Sequence, residues 1–183
     1  STDATFKPTK GLAEVWVDGT TYTANFEKCT DLAYTVEYYY DDVLGVDDFA
    51  PVSGEATFED AVSNTTDVVT VGDNESHPGK VKVGYQFDRV ELPNPATIGV
   101  LGNVIKVYYK RTTQAVVGTK TWVDGGVGRP GEGDVSIALE RYVAGAQDGT
   151  FVAPKATVST PENSTVWIYT WAELPTHTTD GVL

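Results

Sequence analysis

Cysteine is almost absent from this chain: Cys29 is the single example in 183 residues. No disulfide can close within it, so stability must come from a packed core or from another kind of cross-link. Two histidines, His77 and His177, lie far apart, and with one cysteine they give no zinc-ligand spacing. Basic residues are scarce as well, with 13 Lys and Arg against 26 Asp and Glu and a net charge of −13. That surplus of carboxylates repels phosphate backbones and anionic lipid, which argues against nucleic-acid binding and electrostatic membrane docking. No apolar run approaches the roughly 18–20 residues of a membrane span. Neither a Gly-x-Ser-x-Gly elbow nor a phosphate-cradling loop occurs, and the glycine-rich stretch 125–133 lacks a Gly-Lys-Ser/Thr ending. Two modules of this size rarely shape a substrate cleft; the expectation is a non-catalytic chain without a cofactor. No signal peptide or anchoring motif is visible, and the ends read as cut, so a segment of a longer protein is expected.

What the chain has is strand-forming material. Hydrophobic residues make up 40% and aromatics 11%, enough for a packed core, while 18 Gly and 9 Pro favour turns and interrupt helices. Alternation with period two recurs. Tyr34, Val36 and Tyr38 share one face of a run; Val81, Val83, Tyr85 and Phe87 share a face of the next; Ile105, Val107 and Tyr109 share a third. One-sided strands of this kind point to antiparallel sheets with one buried and one wet face. Further strands are expected at 115–123, 134–142 and 165–171, with a linker near 110–114. Residues 55–63 could form a short helix, although no cap precedes them. The expected fold class is all-β with minor helix allowed, as small antiparallel modules in tandem.

The stretch 113–183 resembles the collagen-adhesin B-type domain. The resemblance rests on Lys120-Thr121-Trp122-Val123-Asp124, the Arg129-Pro130 pair, Val135-Ser136-Ile137-Ala138-Leu139, Trp167-Ile168-Tyr169 and Leu174-Pro175. It implies an immunoglobulin-like or prealbumin-like sandwich, here lacking its last strands, used as a stalk or spacer in surface adhesins and pilins. The stretch 32–112 resembles a mucin-binding-protein repeat through Tyr34-Thr35-Val36-Glu37-Tyr38-Tyr39-Tyr40, Gly84-Tyr85 and Asn103-Val104-Ile105-Lys106-Val107-Tyr108-Tyr109. Residues 1–31 carry a hairpin signal at Asp18-Gly19, which could belong to either module. Together these resemblances imply a Gram-positive surface protein, extracellular and wall-attached. Its partners would be neighbouring modules of the same protein and a host glycoprotein or matrix.

Three kinds of site follow. The adhesin-like resemblance implies an isopeptide bond between a first-strand lysine and a last-strand asparagine, assisted by a buried carboxylate. Period two puts Lys120 on a face with Val116 and Trp122, Glu140 is the acid on the next strand, and Asn25 is the asparagine if residues 11–26 pack on the last module. The plainer alternative is a solvated strand lysine. Asp41, Asp42, Asp47 and Asp48 supply hard oxygen ligands of the type calcium takes, without EF-hand spacing; a solvated acidic loop is the competing reading. Tyr39 and Trp171 are candidate sugar-stacking rings, against which stands burial in a core.

Overall fold

The computed structural model describes residues 27–73, 75–124, 130–131, 134–161 and 164–178. The hairpin expected at 11–26, Asn25 and most of the glycine-rich stretch lie outside the described residues. The protein is all-β, with a 3-10 turn at Asp47–Phe49. No helix in the described residues is long and apolar enough to cross a membrane. The chain divides into two compact units, one of residues up to 81 with 87–110, the other of residues 82–86 with 111 onward.

The first unit is built around β1 (Leu32–Tyr40) and β8 (Val104–Arg111). They run side by side and parallel, in register from Thr35↔Val104 to Tyr40↔Tyr109. The other edge of β1 is covered by β2 (Val43–Leu44) and β3 (Val52–Ala56), both antiparallel to it, and β7 (Tyr85–Glu91) flanks β8. The other pairings among the described strands of known register are antiparallel, as expected, and this one parallel pair makes the large sheet mixed. Parallel neighbours need a long crossover, and the crossover here contains a second sheet, β4 (Val62–Thr65), β5 (Val68–Val71) and β6 (Glu75–His77). Between them lies the core, where Tyr34, Val36, Tyr38, Ile105, Val107 and Tyr109 from the large sheet and Val69 from the small one are almost fully buried.

The hydroxyls of the inner-face tyrosines reach the crossover segment between β1 and β8. Tyr34 donates to Glu75 Oε2 at 2.6 Å and also contacts His77 Nε2 at 2.6 Å. Tyr38 donates to the carbonyl of Pro78 and Tyr40 to that of Lys80. Tyr109 reaches Asp67 Oδ2 at 3.5 Å. A strand with tyrosine at alternate positions thus buries its rings and fastens the returning chain with its hydroxyls. Burial, joined by the Glu75 hydrogen bond and charge, pushes the Tyr34 phenol well above its ordinary value.

Two expected elements are corrected here. No helix forms at 55–63: the segment ends β3, turns, and starts β4, with the Asp60 carboxylate accepting the Thr57 amide at 2.9 Å and Glu59 at φ 67. The alternating run 80–87 is a strand only from Tyr85, and Val81 and Val83 are exposed. The Lys80 carbonyl, like that of Pro78 just before the run, takes a tyrosine hydroxyl, and Lys80 Nζ donates to the Ala50 carbonyl at 2.7 Å.

The second unit has a three-stranded antiparallel sheet. Its central strand β13 (Val166–Pro175) lies between β9 (Thr113–Thr121) and β12 (Thr157–Ser159). Trp167, Tyr169, Trp171 and Leu174 are its core, with Val116, Trp122, Val135, Leu139, Phe151, Ala156 and Val158 packed against them. The strand expected at 134–142 is irregular through Arg141. Only β10 (Tyr142–Val143) forms, in a hairpin with β11 (Ala146–Gln147).

Candidate functional site

A cleft of about 700 Å³ lies in the second unit, walled by Arg111, Arg141, Phe151, Leu174, Pro175 and His177 among others. That volume falls in the range of small-ligand sites. One wall is set by the β10–β11 hairpin, whose two-residue turn has both central residues left-handed, Ala144 at φ 49 and Gly145 at φ 84. The hairpin brings Arg141 and Asp148 together. Arg141 Nε and Nη2 donate to Asp148 Oδ2 at 2.9 and 2.5 Å, and the Asp148 amide donates to the Arg141 carbonyl. The other carboxylate oxygen accepts the Thr150 amide and hydroxyl at 2.9 and 2.5 Å. These Thr150 bonds first, and the Arg141 guanidinium with them, hold Asp148 down to about 2. The guanidinium also sits 4.7 Å from the Phe151 ring centroid, so the cation is fixed between a carboxylate and an aromatic face.

The opposite wall is the irregular end of β13. Its register with β9 shifts between Trp171 and Leu174, and Glu173 within the shift takes φ 56. Beyond it Thr176 bonds Thr112 through backbone and side chain, and His177 Nδ1 lies 2.9 Å from the Thr176 hydroxyl. Gly84, at φ 80, makes room: a Cβ there would sit 2.9 Å from that of His177. The cleft combines an apolar floor with a rigid guanidinium, a surround that suits a ligand pairing an apolar face with an acidic or acceptor group.

Lys120 lies where period two put it, on the covered face of β9 opposite Trp167, with its ammonium 4.8 Å from the Trp122 ring centroid. Among the described residues it makes no ion pair. Glu140 is corrected as the assisting acid: it is exposed and accepts a hydrogen bond from the Tyr142 hydroxyl at 3.0 Å, whereas an isopeptide-forming site needs a buried carboxylate. Trp171 is corrected as a sugar platform because it is 4% exposed, within the core. Tyr39 is on the outer face of its sheet, but its ring is stacked on Tyr108 at 5.0 Å, with the Lys106 ammonium 5.9 Å from its centroid and Arg89 3.9 Å from the Tyr108 centroid. Its faces are engaged within the chain.

The four aspartates fall in turns, Asp48 inside the 3-10 turn. Asp41 and Asp42, at φ 48 and 63, make the two-residue turn between β1 and β2, and Asp47, at φ 54, opens the 3-10 turn. Aspartate tolerates this left-handed conformation better than most residues. No group of three or more His, Cys, Asp or Glu side chains fit to hold a metal occurs among the described residues.

The chain matches no protein-family model, no curated protein and no solved structure. Arg141, Asp148 and Phe151 are not singled out by any sequence motif. The one signal near them is Gly145, a turn former just past the end of the strand expected through Tyr142.

Proposed function

We propose that this chain is a non-catalytic spacer in a Gram-positive cell-surface protein of adhesin or pilin type, combining a mucin-binding-like repeat with a collagen-adhesin B-type module. The observation that carries the reading is the direction of β1 and β8, the first and last described strands of the large sheet. Because β1 and β8 are parallel neighbours, the chain enters at one end of the central sheet and leaves at the other. A module of that topology passes the chain through itself, as a unit in a linear array must. The acidic, disulfide-free composition and the resemblance motifs agree with an exposed extracellular setting. Antibodies raised against the chain test the reading on intact source cells: labelling without permeabilisation is expected, and labelling only after permeabilisation overturns it.

A second reading, direct binding of a mucin-type glycan, is favoured by the cleft beside Arg141 and Phe151. A mucin-glycan array separates the two. Silence supports the spacer alone, and saturable binding that is lost in Arg141→Ala supports the cleft as a glycan site.

A further inference from the structure

Resting on the spacer reading, we infer that the first unit is a force-bearing clamp, in which tension along the chain is resisted by the β1–β8 ladder loaded in shear. Six residue pairs are in parallel register, from Thr35↔Val104 to Tyr40↔Tyr109. Two further backbone bonds extend the contact, Thr35 N to the Asn103 carbonyl at 2.9 Å and Asp41 N to the Tyr109 carbonyl at 3.0 Å. A pull on the chain entering β1 and on the chain leaving β8 draws the strands in opposite directions along their length. The slanted bonds of a parallel ladder are then loaded together, not one after another.

Side chains reinforce the ladder on both faces. Tyr40 stacks on Tyr109 at 5.2 Å on the inner face, and Tyr39 on Tyr108 at 5.0 Å on the outer face. Each stack bridges the two strands that must slide, and each sits at the end where β8 leaves the sheet. Such cross-strand aromatic pairs add to the ladder. On the inner face the Tyr34, Tyr38 and Tyr40 hydroxyls fasten β1 to residues 75–80, so sliding β1 also breaks those bonds. Asn103, 6% exposed, locks the start of β8: its amide donates to the carbonyls of Ala33 at 3.0 Å and Gly99 at 2.9 Å, and its oxygen accepts the Gly99 amide at 2.8 Å.

Resistance to pulling is a rate of forced unfolding along a direction, not an equilibrium stability. It should therefore depend on where the force is applied. In the full-length chain, one pair of attachment points is native Cys29 with Lys110→Cys, which shears the ladder. The other is Val43→Cys with Lys110→Cys in a Cys29→Ser background. Both of its points lie just past the same end of the ladder, so it peels the bonds singly. Lys110 and Val43 are exposed, and matched urea midpoints establish that both variants are folded.

At equal loading rate, optical-tweezer pulling should give a rupture force about threefold or more higher in shear than in peeling, since several bonds share the load in one case and one bears it in the other. Equal forces, or a lower force in shear, overturn the clamp. The outcome is independent of where the protein resides. Equal forces with labelling of intact cells remove the clamp and leave the spacer, while a threefold asymmetry with labelling only inside cells does the reverse.

Discussion

At the scale of single residues, two side chains have consequences that can be measured. Tyr34 is 2% exposed, and its hydroxyl joins the large sheet to β6 through Glu75 and His77. Tyr34→Phe keeps the ring and removes that link, so a loss of about 1–2 kcal/mol is expected from urea unfolding; an unchanged midpoint would show that the hydroxyl contributes nothing. Asp148 has its carboxyl held down to about 2 by Thr150 and Arg141. A depressed carboxyl contributes stability that is present above its unfolded value, near 4, and fades as pH falls through the folded one. Asp148→Asn should therefore unfold more readily than the parent at pH 7, with the difference closing between about pH 4 and 2 in thermal scans. A difference that persists at pH 2 contradicts the assignment.

At the scale of elements, strands with a continuous one-sided pattern were legible in the sequence. The runs that became β1, β8, β9 and β13 were placed within a few residues by alternation. The pattern failed where backbone groups are satisfied outside a ladder. Lys80-Val81-Lys82-Val83 alternates faithfully, yet its neighbouring carbonyls are taken by tyrosine hydroxyls from β1, a non-local arrangement that periodicity cannot report. Residues 134–141 failed similarly, since Val135 and Leu139 pack on the tryptophan core without strand geometry. Partner choice was also hidden, because alternation in β1 says nothing of β8 lying parallel beside it. The candidate cleft was the least legible part: its Arg141–Asp148 pair depends on a hairpin turn, and Phe151 reaches it only through the loop that follows. The second unit leans on β13, so Trp171→Ala should cost about 3–5 kcal/mol through the cavity it leaves among Tyr169, Val116 and Gly118. A loss below about 1 kcal/mol by denaturant titration would place Trp171 at a surface instead.

At the scale of the whole molecule, two small units must hold together without a disulfide within the chain. The first depends on a doubly faced aromatic ladder, the second on a tryptophan-rich sheet. The covalent alternative makes a distinct prediction. With Lys120 over Trp122 and Glu140 exposed, the intact mass of the purified chain should equal that of the unmodified sequence. A species lighter by one ammonia would show that an isopeptide bond forms after all. Both the spacer reading and the clamp rest on one structural claim, that β1 and β8 are parallel neighbours. Backbone nuclear Overhauser contacts in the full-length chain test it most directly. Contacts linking β1 and β8 in the parallel register from Thr35 and Val104 to Tyr40 and Tyr109 are predicted. Contacts in an antiparallel register, or none between these strands, would contradict it.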